Sequence, residues 1–168
     1  MKTSRQGTLT HFDTGRHQPF FFEVPEHSRQ LAVTFSYAPV VLAPDLPGNE
    51  ISLSLYGPGG ARGARHNNRD LDILVTENYA TPGYLPGRPE PGRWCLVIDA
   101  HRILPGPTVA FELKIETSPV VTLEKGLEAT PKFAKQSITP KGPGWYRGDL
   151  HGGQHHTMDV PGGTKHYA

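Results

Sequence analysis

The chain has 168 residues, room for one domain with a real core and too few for two full ones at about 100–200 residues each. Its 17 Lys plus Arg against 16 Asp plus Glu leave a formal charge of +1, and no basic stripe interleaves with aromatics, which argues against nucleic acid or an anionic membrane as partner. The first twenty residues lack the apolar core of a signal peptide and no run approaches the ~20 apolar residues of a membrane span, so a soluble, non-exported, cytoplasmic chain is expected.

Nineteen Gly and seventeen Pro fall singly between apolar runs, the pattern of many turns between short strands, so the class expected is all-β. Residues 1–18 are polar and punctuated by Gly7 and Gly15, and read as a partly ordered start that joins the fold near Thr8 to Phe12. The core of the sandwich is expected over 19–118. Phe20, Phe22 and Val24 share one face at period two; Leu31, Val33, Phe35 and Tyr37 alternate with small or polar residues, as do Ile51, Leu53 and Leu55. After Gly57-Pro58-Gly59-Gly60, the run to Asp70 is so poor in apolar residues that it reads as a loop. Arg62, Arg65 and Arg69 in it could grip an anion, but read first as solvated loop charges.

Leu71, Ile73 and Val75 alternate again. The stretch from Ala80 to Gly92 is rich in proline, which donates no ladder hydrogen bond, and is expected to be an ordered loop outside the sheet with Tyr84 and Leu85 packed down on the sandwich. Trp94, Leu96 and Ile98 face one way and Cys95, Val97 and Asp99 the other, which suggests a central strand. Cys95 is the single cysteine, excludes an internal disulfide, and reads as a small buried hydrophobe. Val109, Phe111, Leu113 and Ile115 form the cleanest amphipathic strand. No sustained period of 3.6 predicts a long helix. Six or more strands at this spacing predict two antiparallel sheets packed face to face, with a jelly roll as the favoured arrangement.

Residues 119–151 read as an extended segment ending in a junction, and 152–168 as a disordered tail rich in His and Gly. Two motifs give this organisation a context. The loop ATPGYLPG followed by PGRW, and then GWYRGDLH at 144–151, resemble the N-terminal region of bacterial PHP-domain metallohydrolases of the carbaryl-hydrolase (CehA/McbA) type. The resemblance covers nearly all of residues 8–151. It implies a β-sandwich standing before a catalytic PHP barrel, whose first strand in that family carries Gly-Asp-Leu-His-x-His-Thr.

The chemistry implied by the resemblance is metal-dependent hydrolysis, in which imidazoles and carboxylates hold Zn, Mn or Fe and the metal acidifies a bound water. By that resemblance His151 matches the first ligand and Asp149 the carboxylate before it. The pattern then departs: Gly153 stands where the family has its second His, and His-Thr returns only at His156-Thr157, after three extra residues, with His155 as an alternative ligand. Strand positions i and i+2 face the same way, so His-x-His presents two imidazoles to one metal, and His151 with Gly153 does not. The later strands of a barrel are absent from the sequence.

Three readings of the tail follow: a sandwich module truncated or frame-shifted at its junction; adventitious metal binding by His151, His155, His156 and His166; and a hydrolase of phosphoesterase or carboxylesterase type completed by another chain. The first gives the expected function, a non-catalytic accessory module, with a PHP domain in trans or a second copy as partners. In the sandwich itself Asp99 and His101 carry opposite expectations of burial, and no serine has a nucleophile elbow around it. The rival class is a carbohydrate- or small-ligand-binding jelly roll, for which Tyr56, Tyr79, Tyr84 and Trp94 are the aromatic candidates; an aromatic in a strand is more often core.

Overall fold

The computed structural model describes residues 1–42, 47–66 and 70–122. Eight strands follow one another as β1 (Lys2–Leu9), β2 (Arg16–Val24), β3 (Gln30–Ala38), β4 (Glu50–Gly57), β5 (Gly60–Arg65), β6 (Ile73–Thr76), β7 (Gly92–Arg102) and β8 (Val109–Ser118), with one 3₁₀ turn at His11–Asp13. They form two four-stranded sheets in the orders β1-β8-β3-β6 and β2-β7-β4-β5, and every pairing is antiparallel.

The order has a simple origin. β1 pairs with β8, β2 with β7, β3 with β6 and β4 with β5, which is one long two-stranded ribbon bent back at the β4–β5 hairpin. Rolling the ribbon up brings β3 against β8 and β4 against β7, and the result is a jelly roll, as expected. The inward residues of both sheets make a single core. Leu31, Val33, Phe35 and Tyr37 of β3 and Val109, Phe111, Leu113 and Ile115 of β8 meet Ile51, Leu53 and Leu55 of β4 and Trp94, Leu96, Ile98 and Ala100 of β7. β7 lies between β2 and β4, the central place its two apolar faces predict.

Four expectations need correction. The N-terminal segment is ordered from its start, because β1 is in register with β8 from Lys2↔Glu116 to Leu9↔Val109. Its side chains are polar because an edge strand is held by backbone pairing, and Gly7 is needed where the Phe111 ring lies over the strand: a Cβ there would come within 2.4 Å of that ring. The Gly- and Arg-rich run after Gly60 is β5, not a loop. It is held by backbone pairing and not by an apolar face: besides its ladder with β4, Ala64 N–H donates to Gly83 O (3.2 Å), Leu85 N–H to Arg62 O (2.7 Å), and Tyr84 bridges Gly63. The loop around Tyr84 therefore lies against the sheet edge; Tyr84 packs down, whereas Leu85 is half exposed. Cys95, finally, is on the outer face of β7 and only partly covered.

Candidate functional site

The strand period sorts β7 into an inner row of Trp94, Leu96, Ile98 and Ala100 and an outer row of Cys95, Val97, Asp99 and His101. Asp99 and His101 are two residues apart and so share a face, and their burial differs as expected, Asp99 being buried and His101 only partly covered. Opposite Asp99 in register stand His17 of β2 and Ser52 of β4. The outer face of the second sheet thus gathers polar side chains from three adjacent strands.

Asp99 is the centre of this group. Its Oδ1 lies 2.6 Å from His17 Nδ1, and its Oδ2 accepts from Ser54 Oγ at 2.6 Å. The carboxylate side chain is 8% exposed and the imidazole 70%. One residue row further, Ser52 Oγ lies 2.6 Å from His101 Nε2, and the His101 ring meets that of His66, just past β5, at a centroid distance of 4.3 Å. Burial, and next the neighbouring His101, hold the His66 imidazole below its usual pKa, against the opposite pull of Glu50 and Asp99.

The connectivity decides what this group can do. In a nucleophilic triad the imidazole stands between hydroxyl and carboxylate, so that it can take the hydroxyl proton. Here the carboxylate stands between Ser54 and His17. Ser52, which does touch an imidazole, is 2% exposed and offers no approach to an acyl group. The network ties β2, β7 and β4 together across their outer face. The signal for it was present in the sequence, since His17 with Pro19 and Phe21, and Asp99 with Cys95 and Val97, fall on the outward phase of strands whose other phase is apolar.

Of the aromatic candidates, Trp94 and Tyr84 are turned into the core at 1% and 6% exposure, with the indole N–H donating to Glu90 O (2.8 Å) and the phenol to Leu53 O (2.9 Å). They are not presented to a ligand. Tyr79 is half-buried. Tyr56 is 43% exposed and sits in one row with Cys95 and Phe21. Two of the three arginines expected in a loop lie on β5 and act as tethers: Arg62 lies over the Trp94 ring and donates to Leu85 O and Gly87 O, and Arg65 pairs with Asp70 at 3.1 Å, while Arg69 lies outside the described residues. Asp149, His151, His155, His156 and His166 lie outside the described residues. Among the described residues, no three or more His, Cys, Asp or Glu side chains gather as metal ligands would, and no helix is long and apolar enough to cross a membrane.

No family model and no curated protein matches the chain. Among solved structures it is similar to PliG of Aeromonas hydrophila, a periplasmic inhibitor of g-type lysozyme, at 12% identity over 70% of this chain and 86% of that one, with a TM-score of 0.39. A similarity of that size carries nothing about function.

Proposed function

We propose that this chain is a non-catalytic, cytoplasmic accessory module, a jelly roll of the kind that stands before a PHP-type metallohydrolase domain. The observation that carries the reading is the closure of the sandwich: the eighth strand ends at Ser118 with the two sheets packed on one core, while the hydrolase-like GWYRGDLH begins only at Gly144. The Asp99-centred network supports it, since its hydroxyls and imidazoles hold strands together in an order unsuited to acyl transfer. Its partners in this reading are a PHP domain on another chain or a second copy of this one.

The test is hydrolysis of chromogenic phosphodiesters and carboxylic esters by the purified chain with added Mn²⁺ or Zn²⁺. No turnover above the metal blank is expected. Turnover that His151→Ala abolishes would replace this reading with that of a hydrolase using the Asp149, His151, His155 and His156 segment.

A second reading has one observation in its favour: Tyr56 and Phe21, 43% and 52% exposed, flank Cys95 in one row of the outer face, as a platform for a sugar ring or other small ligand would. It predicts a thermal shift with a soluble saccharide that Tyr56→Ala removes.

A further inference from the structure

The two sheets have four edge strands, β1 and β6 in the first and β2 and β5 in the second. Three of them are closed or blunted. The chain returning after β6 pairs with it through Val75 and Ala80, and Thr81 N–H donates to Leu74 O (2.9 Å). Gly83 and Leu85 bond to β5 in the same way, and Pro19 removes a donor from β2. β1 has no such cover. It runs eight residues without proline or bulge, in unbroken register with β8, and no described residue pairs with its other side.

The end of the ladder fixes the phase of this edge. Met1 and Thr117 exchange both backbone bonds (3.1 and 2.9 Å), and hydrogen-bonded pairs alternate along an antiparallel ladder. Thr3, Arg5, Gly7 and Leu9 therefore turn their N–H and C=O toward β8, whereas Lys2, Ser4, Gln6 and Thr8 turn theirs to the open side. The side chains of these last four are all exposed. Arg5 lies on the inward phase at the mouth of the sandwich, with its guanidinium over half-buried Phe20 at 5.7 Å. A charge placed there restricts which strands the edge accepts.

We propose that β1 is a self-association edge: a second copy of this chain adds its own β1 antiparallel across a two-fold axis at Gln6, joining the first sheet of each copy into one. An axis perpendicular to the sheet keeps inward residues opposite inward ones, and such a contact repeats the same surface on both copies. Centred on Gln6, the pairing runs from Thr3 to Leu9 and sets Gln6 against Gln6 and Ser4 against Thr8. Outward positions meet outward positions, so the open N–H and C=O groups of both strands are used. Arg5 then faces Gly7 of the second copy, which has no side chain to crowd it. The rival axis at Arg5 would set two guanidinium groups directly opposite each other. Arg5 thus selects the register and does not close the edge. The proposal takes up the second copy that the reading above allows as a partner; turnover decides that reading, and oligomeric state decides this one.

The experiment is sedimentation of the full chain over a range of concentrations, with amide exchange of β1 followed alongside. A dimer is expected, in which the Ser4, Gln6 and Thr8 amides gain protection severalfold as concentration rises while those of β6 do not change. Gln6→Lys sets like charges across the axis and should weaken the dimer severalfold. Gln6→Pro takes the outward N–H from both copies without removing a bond to β8, and should abolish it. Ser36→Lys puts the same charge on the same face but on β3, two strands in from the edge, and should leave the dimer unchanged. A chain that sediments as a monomer at every concentration would overturn the proposal, as would a dimer that survives Gln6→Pro, or protection of the β1 amides that does not vary with concentration. The wild-type chain decides the matter alone if a variant fails to fold.

Discussion

His17 Nδ1 stands 2.6 Å from Asp99 Oδ1, so an exposed imidazole on an edge strand is tied to a carboxylate that is almost wholly covered. The two ends of this contact are not equivalent. Removing His17 leaves Asp99 with Ser54 and removes an interaction largely open to water, for which under about 1 kcal/mol is expected. Asp99→Ala leaves Ser54 and His17 without their acceptor and breaks the tie between β2 and β4 through β7, a loss of about 1.5–3 kcal/mol from hydrogen bonds to a charged group. Urea unfolding of the two variants should place Asp99→Ala well below His17→Ala, and the reverse order would mean that the network does not hold the face together.

Gly63 has a φ of +131°, and a Cβ added there would come within 2.2 Å of Gly83 O and 2.6 Å of Tyr84 Cα. Both contacts are with backbone, which cannot step aside as a flexible side chain can. Gly63→Ala therefore combines a backbone conformation unfavourable to alanine with a clash between β5 and the loop that covers it, and is expected to cost about 3 kcal/mol or more. Gly15, at φ +77° with nothing near its would-be Cβ, is the control: Gly15→Ala should cost only about 1–2 kcal/mol. Equal melting temperatures for the two variants would contradict the close approach of β5 and loop.

The two-sheet fold was legible in the sequence wherever burial on one face imposes a period of two, as in Leu31 to Tyr37, Ile51 to Leu55 and Val109 to Ile115. It was illegible where strands are held by backbone pairing at an edge. β1 buries little beyond Leu9, and β5 buries Arg65, so neither leaves an apolar rhythm to read. The outward polar phase of β2 and β7 was legible, but its assembly into the Asp99 network was not, for a related reason. Its members come from three strands, and the register that sets His17 and Ser52 beside Asp99 is a product of the rolled ribbon and not of any local spacing. Trp94 and Tyr84 show the converse limit, since an aromatic's type does not reveal which phase of the strand, or which side of a loop, it takes.

Tyr84 gives the fold an alkaline limb. Its hydroxyl donates to Leu53 O at 2.9 Å in the core, and burial, the largest influence, pushes its pKa well above the usual phenol value, with Asp99 and Asp70 adding and Arg65 opposing. A raised pKa means that the stabilisation is complete below the unfolded value of about 10 and is lost as pH climbs beyond it toward the folded one. Tyr84→Phe should lower stability at pH 7 by about 1 kcal/mol, through the lost hydrogen bond, and flatten the fall between about pH 9 and about pH 11. The slope that remains belongs to Tyr37 and Cys95, whose pKa values burial also raises. Urea midpoints across that range check this; superimposable limbs for wild type and Tyr84→Phe would refute it.

The β2 edge carries an aromatic run, Phe20-Phe21-Phe22, on a strand that has one side unpaired among the described residues, which is the arrangement that invites pairing with a second molecule. Phe22 is buried, but Phe21 is 52% exposed and Phe20 half-buried. Three features blunt the edge. Pro19 offers no N–H to an incoming strand. Arg93 lies over the Phe21 ring at 4.3 Å and Arg5 over Phe20 at 5.7 Å, setting a cation on each exposed aromatic surface. A variant combining Pro19→Thr with Arg93→Ala restores a donor and uncovers the ring, and it should aggregate severalfold faster than wild type under native conditions, read by light scattering at matched concentration. Its unfolding midpoint should fall only slightly, because the cation–π contact of a half-exposed pair is worth about 0.5–1 kcal/mol. Faster aggregation without a matching loss of stability would locate the effect in the folded edge; a large loss of stability, with aggregation only in step with it, would place it in the unfolded chain instead.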